Sequence, residues 1–350
     1  MPVRKHIARR PPSLAETRNT CLWRVAVVTQ SRLVTPNGLV VSKPPPYSGR
    51  VGLAAGISGP SESVLISDGG LATELEARGH DLSDPLWSAR LLLDDPGEIV
   101  AVHAAYFRAG AKIATSASYQ ASFEGFAAHG IDRDQSVEVL RRSVELARAA
   151  RDEAGVGGLF VAASVGPYGA ALADGSEYRG RYGLSVEALT RWHRPRLEVL
   201  AAAGADVLAL ETVPDADEAE ALVNLVRTVG VPAWLSYTID GSRTRAGQPL
   251  AEAFAVAAGV DEIVAVGVNC CTPADVFPAI EIAAAIGKPV IVYPNSGERW
   301  DGQHWTGRSR FSAGLARQWI AAGARIVGGC CRVGPSDIAA IADLDSVVDR

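Results

Sequence analysis

The sequence predicts an α/β protein whose main part, residues 61–350, is a (β/α)8 barrel of the TIM type. From residue 64 onward, short apolar segments alternate with Ala-rich segments of helical periodicity, and eight such units can be counted. Strands buried on both faces, as in a parallel barrel, have continuous apolar sequences of this kind. A doubly wound open sheet is the alternative, but that fold more often has a glycine-rich phosphate loop after its first strand.

The predicted elements follow one another in regular order. The strands are expected at residues 64–67, 112–117, 159–165, 206–210, 233–237, 263–269, 289–293 and 325–328. The helices between and after them are expected at residues 99–109, 136–150, 186–203, 216–229, 249–258, 274–286 and 312–322. Three Ala-Gly-Ala turns, centred on Gly110, Gly204 and Gly323, join a helix to the next strand. Glycine suits such turns because it readily adopts the left-handed backbone that ends many helices.

Composition and charge restrict the possible functions. Apolar residues make up 48% of the chain and charged residues 21%, as in a folded protein with an ordinary core. The net charge of -5 argues against a nucleic-acid partner, which would favour a basic face. No apolar run reaches the roughly 18 residues that a membrane-spanning helix needs. We therefore expect small-molecule partners and neither nucleic acid nor membrane.

Residues 1–60 are predicted to lie outside the barrel. The first fifty residues contain nine Lys or Arg, one acidic residue and seven of the twenty prolines. Such a segment has little apolar surface to bury, which predicts a disordered extension. The Arg-rich, acid-poor composition also resembles a transit peptide, which would matter only in a eukaryote. A third interpretation is a translation start assigned too early, with the true start near Val51 or Val64. A secretory signal is disfavoured because Arg24 interrupts the apolar stretch that would carry it.

The cysteines are grouped in a way that points to reduced thiols. Cys21 stands alone, whereas Cys270 and Cys271 are adjacent, as are Cys330 and Cys331. Neighbouring cysteines rarely pair with each other, and secreted disulfide frameworks usually occur in smaller chains. The pattern therefore favours a cytoplasmic protein whose thiols serve a metal or catalysis.

Polar residues fall at the carboxyl ends of the predicted strands, where barrel proteins carry their functional groups. Cys270 ends the sixth strand, and Cys330 and Cys331 end the eighth. These positions share one rim of the barrel and are separated by one strand, at roughly 4.8 Å per strand. Three thiolates can therefore converge on one Zn²⁺ with bonds of about 2.3 Å, leaving the open fourth position of a catalytic zinc site.

Several alternatives to this zinc site remain. Free cysteines are often simply small buried apolar residues. A closed four-cysteine site would need Cys271, but consecutive strand residues point to opposite faces unless the strand has already broken. Cys331 can avoid the same objection because Gly328 and Gly329 permit an irregular backbone. A zinc hydrolase would use histidine ligands, and none of the six histidines falls at a predicted strand end. A purely structural zinc site would need four protein ligands.

Two acidic residues also end predicted strands. Glu211 follows the apolar run 207–210, where a carboxylate is costly unless it meets a cation. A substrate ammonium would be such a cation. Asp68 precedes Gly69 and Gly70, and its alternative role is to cap a helix that starts there.

These motifs resemble those of the homocysteine S-methyltransferase family. The motif Asp68-Gly69-Gly70, residues 211–214 (Glu-Thr-Val-Pro), residues 267–270 (Gly-Val-Asn-Cys) and residues 328–331 (Gly-Gly-Cys-Cys) occur in the family's order, over roughly residues 64–343. The resemblance implies a barrel with zinc held by Cys270, Cys330 and Cys331. Residues 270–273 and 293–298 look most like the branch that uses S-methylmethionine or S-adenosylmethionine.

The resemblance also implies an activity and roles for further residues. The expected reaction is zinc-dependent transfer of a methyl group from a sulfonium donor to the thiol of L-homocysteine, giving methionine. Glu211 would bind the homocysteine ammonium, and Asp68 with the amides of Gly69 and Gly70 would help to fix the amino acid. Gln120 and Asn295 are further candidates for substrate contact, and no catalytic residue is expected beyond the zinc-bound substrate thiolate.

The chain differs from other branches of the family. It is too short for the cobalamin and folate modules of cobalamin-dependent methionine synthase. Only nineteen residues follow Cys331, so the C-terminal dimerisation extension of betaine–homocysteine methyltransferase is not expected, and we predict a monomer. Residues 332–335 replace threonines that many relatives have after the cysteine pair, and this loop bears on donor preference.

Overall fold

The eight predicted strands are present and form a parallel barrel. The computed structural model describes residues 32–34, 40–42, 64–82, 86, 88–300 and 305–343. The barrel strands are β1 (Leu65–Ile66), β2 (Ile113–Thr115), β3 (Phe160–Val165), β4 (Val207–Val213), β5 (Ala233–Tyr237), β6 (Ile263–Asn269), β7 (Val290–Tyr293) and β8 (Ala324–Val327). The prediction of a TIM-type fold is confirmed.

The strand order shows how the barrel closes. The hydrogen-bonded order is β1-β8-β7-β6-β5-β4-β3-β2, so consecutive strands from β2 to β8 pair with each other and β8 pairs with β1. A parallel bridge between Ser67 and Ile113 joins the two remaining edges and nearly completes the ring. β6 and β8 therefore flank β7, as the sequence predicts.

Helices surround the barrel in the described part of the chain. They are α1 (Leu71–Ala77), α2 (Ser88–Asp94), α3 (Pro96–Arg108), α4 (Phe123–Ala128), α5 (Arg133–Ala154), α6 (Tyr168–Leu172), α7 (Val186–Ala202), α8 (Ala216–Val229), α9 (Leu250–Phe254), α10 (Pro273–Ala284), α11 (Ala313–Ala321) and α12 (Pro335–Ala342). All seven predicted helices are among them. The five that the sequence did not predict have eight residues or fewer, too few for a helical period to stand out. None of the described helices has both the length and the apolar character needed to cross a membrane.

Two apolar layers hold this arrangement together. The inner layer fills the barrel and includes Ala209 of β4, Trp234 of β5 and Tyr293 of β7. The outer layer lies between the strands and the helices, and it includes Leu208 and Leu210 of β4. Successive residues of a strand point to opposite faces, so β4 contributes to both layers in turn. Burial on both faces explains why the strands are continuous apolar runs in the sequence.

The three Ala-Gly-Ala turns adopt the expected backbone. The φ angles of Gly110, Gly204 and Gly323 are 99°, 89° and 110°, in the left-handed region that favours glycine. Each turn ends a helix and lets the chain enter the next strand within a few residues.

The predicted extension, residues 1–60, lies mostly outside the described residues. Within it, Arg32–Val34 and Val40–Ser42 pair as an antiparallel hairpin that the sequence analysis did not predict. The prediction that this segment lies outside the barrel can be tested by deletion. A chain that begins at Val51 should match the full chain in solubility, thermal midpoint and activity, because the composition of the deleted segment offers little apolar surface to bury. Thermal unfolding of both chains measures this, and a large fall in the midpoint would show that the segment belongs to the fold.

Candidate metal and substrate site

Three cysteine sulfurs meet at the carboxyl-terminal rim of the barrel. The Sγ atoms of Cys270, Cys330 and Cys331 all lie within 4.8 Å of one another. The distance from Cys331 Sγ is 3.7 Å to Cys270 Sγ and 4.0 Å to Cys330 Sγ. Three sulfurs bound to one ion at about 2.3 Å and tetrahedral angles would be about 3.8 Å apart. The cluster could therefore bind a single metal ion with little rearrangement.

Local backbone geometry directs these sulfurs to one point. Cys270 directly follows β6 and has a φ angle of 48°, so the alternation of the strand ends at this residue. After β8, a Cβ atom on Gly329 would lie 2.1 Å from Val333 Cγ1, and one on Gly328 would lie 2.8 Å from Ser67 Cβ. Any other residue at these two positions would push apart the turn that carries Cys330 and Cys331.

Backbone hydrogen bonds fix the cysteine-bearing segments to the end of β7 and to the loop that follows it. Cys330 N donates to Pro294 O at 2.8 Å, and Ser296 N donates to Cys331 O at 2.9 Å. Cys270 N donates to Tyr293 O at 3.2 Å. The intervening strand thus holds both halves of the cluster in register.

Cys271 takes a different position from its neighbour. Its side chain is completely buried in the outer apolar layer, and burial raises the pKa of its thiol. By contrast, hydrogen bonds from Cys330 and Cys331 hold the pKa of the Cys270 thiol well below its ordinary value. The pKa values of the Cys330 and Cys331 thiols are raised, first by their hydrogen bonds with Cys270, so it is the position of the sulfurs that distinguishes the cluster. The structure therefore separates Cys271 from the three clustered sulfurs.

The cluster opens onto a cavity of about 820 Å³. Its walls come from the loops after most of the strands, and they carry both carboxylates and aromatic rings. The acidic residues that line it are Glu76, Asp81, Glu177, Glu211 and Glu298, and the rings include Tyr119 and Tyr178. A cavity of this size accommodates two small substrates and excludes most bulk water from between them.

Glu211 points into this cavity from the end of β4. Val207 and Ala209 of the same strand face the barrel interior, and Glu211 continues that alternation. It is 7% exposed and accepts a hydrogen bond from the Ser164 hydroxyl. Burial raises the pKa of its carboxyl to about 7. Among the described residues it forms no ion pair with Arg or Lys, so a cationic ligand can satisfy it.

Asn269 connects Glu211 to the cysteine cluster. Its Oδ1 accepts hydrogen bonds from Thr212 N at 2.7 Å and Ser236 Oγ at 2.9 Å, and its Nδ2 donates to Thr212 Oγ1 at 2.7 Å. Thr212 has a φ angle of 56°, a backbone conformation that needs such support. Glu211 precedes this residue and Cys270 follows Asn269, so one amide group aligns the carboxylate with the sulfurs.

Asp68 lies at the rim, but its carboxylate oxygens already accept hydrogen bonds from neighbouring residues. Its Oδ2 accepts a hydrogen bond from Thr115 N at 2.6 Å, and its Oδ1 accepts bonds from Thr115 Oγ1 at 3.0 Å and Ser67 Oγ at 3.2 Å. Burial raises the pKa of its carboxyl to about 6. Asp68 is not among the residues that line the cavity, although Gly70 and Thr115 are. These hydrogen bonds connect the end of β1 to β2. Direct contact of Asp68 with a substrate stays a prediction.

The other residues predicted to contact a substrate differ in whether their polar atoms already have hydrogen-bond partners in the protein. Gln120 and Asn295 both line the cavity. The Oε1 atom of Gln120 is buried without a hydrogen-bond partner, whereas Asn295 Oδ1 already accepts from Gly297 N at 3.0 Å. The amide of Gly70, expected to bind the amino acid, donates instead to Val333 O at 2.9 Å. Gln120 is therefore the residue of this group with a free acceptor for a ligand.

Sequence analysis missed the residues that reach the cavity from loops. Tyr178, in the short 3-10 helix Ser176–Tyr178, places its hydroxyl 3.1 Å from Cys270 Sγ. Arg245 follows a small hairpin, Ile239–Asp240 with Arg243–Thr244, beyond β5. Both lie several residues past the end of a strand, and no local pattern marks them. Asn269 was detectable, because it is a polar residue on the inward-facing side of an apolar strand.

Comparison with known proteins identifies the family. A family model described as homocysteine S-methyltransferase matches residues 65–344. The chain is 48% identical over 293 residues to homocysteine S-methyltransferase of Escherichia coli strain K12, covering 80% of this chain and 94% of that protein. The chain belongs to the homocysteine S-methyltransferase family. The resemblance inferred from the motifs is thereby confirmed, and the protein is an enzyme of the homocysteine S-methyltransferase class.

Two further comparisons extend this result to another bacterium and to a crystal structure. Homocysteine S-methyltransferase YbgG of Bacillus subtilis strain 168 is 44% identical over 298 residues, covering 80% of this chain and 93% of that protein. The crystal structure of the homocysteine methyltransferase MmuM from Escherichia coli, in its metallated form, matches with a TM-score of 0.74 at 47% identity, covering 81% of this chain and 96% of that chain. The same barrel therefore carries a metal in a relative.

Proposed function

We propose that this enzyme transfers a methyl group from S-methylmethionine or S-adenosylmethionine to the thiol of L-homocysteine, giving methionine, with Zn²⁺ held by Cys270, Cys330 and Cys331. The observation that carries the proposal is the meeting of these sulfurs, within 4.8 Å of one another, at the wall of a cavity that also contains Glu211. These three cysteines would hold the ion, which would bind the substrate thiol and favour its deprotonation.

The chain's own residues would orient the acceptor. Glu211 has no cationic partner among the described residues, and Gln120 Oε1 has no donor. Both are suited to accept hydrogen bonds from the homocysteine ammonium. Asn269 keeps Glu211 in position relative to Cys270, because it supports the backbone of Thr212. The amino group and the sulfur of one small molecule can thus be held at two fixed points.

The acidic cavity favours a cationic methyl donor. Its carboxylates attract a sulfonium, and the aromatic rings of Tyr119 and Tyr178 also line it and are of the kind that stabilises a cation.

In the transfer, a carbon–sulfur bond forms to the acceptor and the carbon–sulfur bond of the sulfonium breaks. The electron pair of the broken bond remains on the leaving thioether, and the thiol proton passes to solvent. Proximity and in-line alignment supply much of the acceleration.

Product analysis tests this proposal. Zinc-loaded enzyme is incubated with homocysteine and either S-methylmethionine, S-adenosylmethionine or betaine, each carrying a deuterated methyl group. We expect labelled methionine from at least one sulfonium donor and none from betaine, and metal analysis should give about one zinc per chain. Transfer from betaine alone, or a zinc-free active enzyme, would contradict the proposal. Monomeric state and cytoplasmic location stay predictions.

A further inference from the structure

Arg245 is a strong cation at a cavity lined by several acidic side chains. Among the described residues that line the cavity, Arg245 is the only Arg or Lys, against five carboxylates. Its Nε is buried without a hydrogen-bond partner, and none of the ion pairs in the described part of the chain involves its guanidinium. A buried guanidinium nitrogen that lacks an acceptor costs free energy. The Nε atom is therefore free to donate a hydrogen bond to an anionic ligand.

The turn that carries Arg245 is held rigidly. Gln248 accepts a hydrogen bond from Thr244 Oγ1 at 2.6 Å and donates through Nε2 to Asp215 Oδ1 at 2.7 Å. Arg181 Nε donates to Ala246 O at 2.7 Å, and Ala246 N donates to Pro214 O at 2.9 Å. The turn is thus fastened to the loops after β3 and β4. Such support fixes the start of the Arg245 side chain and lowers the entropy lost on binding.

The position of Arg245 relates it to the outer of the two substrates. Its guanidinium carbon lies 5.8 Å from the centre of the Tyr178 ring, and the Tyr178 hydroxyl contacts Cys270 Sγ. Cys270 and Glu211 are 4% and 7% exposed, whereas Tyr178 is 41% exposed. The acceptor, held between the sulfurs and Glu211, therefore occupies the floor of the cavity. The donor must therefore occupy the more exposed part of the cavity, where Arg245 lies beside the exposed ring of Tyr178.

We propose that Arg245 binds the α-carboxylate of the sulfonium methyl donor and thereby selects donors that are amino acids. This inference rests on the proposed function. S-methylmethionine and S-adenosylmethionine each carry a sulfonium, an ammonium and one carboxylate. The acidic wall matches the two cations, and Arg245 matches the anion. A planar guanidinium pairs with a carboxylate through two parallel hydrogen bonds, which orients the donor as well as binding it.

The decisive test varies the residue and the donor together. Arg245→Gln is compared with the wild-type enzyme, using S-methylmethionine and its analogue without the carboxylate, (3-aminopropyl)dimethylsulfonium. Loss of a charge-assisted pair should lower kcat/KM for S-methylmethionine by about ten- to a hundredfold. The analogue should react equally slowly with both enzymes, and Arg245→Lys should recover part of the loss. The KM for homocysteine should not change.

A matched control separates loss of the charge from distortion of the turn. Arg243 lies on the same hairpin, but its guanidinium donates to Gly247 O at 2.8 Å and it does not line the cavity. Arg243→Gln should keep full activity with S-methylmethionine. Equal losses with both donors in Arg245→Gln, or a raised KM for homocysteine instead, would overturn the assignment. If the wild-type enzyme uses neither sulfonium donor, the proposed function itself fails, a result distinct from these.

Discussion

Replacing Cys270, Cys330 or Cys331 by Ala should remove the zinc and reduce methyl transfer to the background rate. Loss of a group that only supports a metal ligand typically weakens binding 10–100-fold, so loss of a direct ligand should exceed about a hundredfold. The remaining two sulfurs cannot replace it, because the cluster of the described residues contains no fourth Cys, His, Asp or Glu ligand. Metal analysis after dialysis and a homocysteine methylation assay measure the two effects.

Cys271→Ala is the matched control for these three variants. It removes a sulfur one residue away from Cys270, but from the outer apolar layer rather than from the cluster. We expect about one zinc per chain and nearly full activity, with a lowered thermal midpoint because a buried atom is lost. Zinc loss from Cys271→Ala equal to that from the other variants would show that the wrong sulfur has been assigned to the metal.

The fold could be predicted because a closed parallel barrel produces a simple pattern of apolar strands and glycine-containing turns in the sequence. β4 and β6 are buried on both faces, so their residues are almost uniformly apolar. Gly110, Gly204 and Gly323 mark the returns from helix to strand. Short helices such as α4 and α6 could not be predicted, because fewer than two helical turns give no clear hydrophobic periodicity.

The site could be predicted only where it follows directly from strand ends. The carboxyl ends of β4, β6 and β8 place Glu211 and the three cysteines at one rim, and counting strands was enough to find them. The left-handed backbone of Cys270 separates it from Cys271, and side-chain alternation suggested that separation without giving its cause. The hydrogen-bond partners of a polar residue could not be predicted. The carboxylate of Asp68 accepts hydrogen bonds from Thr115, and no feature of the sequence indicates this pairing.

Residues from long loops could not be predicted at all. Tyr178 reaches Cys270 from the loop after β3, and Arg245 reaches the cavity from the loop after β5. Their positions depend on tertiary hydrogen bonds, such as those of Asp215 with Gln248 and Arg181, that join loops distant in the sequence. No local periodicity records such contacts. The residues of the proposed acceptor side can thus be predicted from the strand ends, whereas those of the proposed donor side lie on loops.

Glu211→Gln should weaken homocysteine binding while leaving zinc in place. The substitution keeps an oxygen that can accept from Ser164 but removes the charge that would attract the substrate ammonium. A hydrogen bond to a charged group contributes roughly 1.5–3 kcal/mol, so the apparent affinity for homocysteine should fall by about ten- to a hundredfold. Steady-state kinetics with homocysteine measure the loss. Mercaptoethanol, which has no ammonium, should be methylated about equally poorly by both enzymes.

The pH dependence gives a second measurement of the same role. The pKa of Glu211 is raised to about 7, so its carboxylate forms, and attracts an ammonium, only as the pH rises through that value. The KM for homocysteine should therefore fall between about pH 6 and 8 in the wild-type enzyme, and this change should be absent in Glu211→Gln.

Glu211→Gln should raise the free energy of unfolding although it lowers activity toward homocysteine. The unfolded chain ionises Glu211 near its ordinary pKa of 4.5 and the folded chain only near 7, so ionisation lowers the free energy of unfolding across that range and above it. At about 1.36 kcal/mol per pKa unit, Glu211→Gln should stabilise the fold at pH 8 by up to about 3 kcal/mol. Thermal unfolding at pH 4 and pH 8 should show a gain at pH 8 only.

These results together distinguish a substrate-binding carboxylate from one that organises the metal site. If Glu211 mainly orders the residues around the sulfurs through Thr212 and Asn269, Glu211→Gln would lose zinc, or would lose activity toward homocysteine and mercaptoethanol alike. If it binds the ammonium, the variant keeps its zinc, becomes more stable at pH 8 and loses activity only toward the amino-acid thiol. A buried carboxylate that destabilises the folded enzyme is expected where its charge is reserved for a ligand, because the bound ammonium then supplies the missing partner.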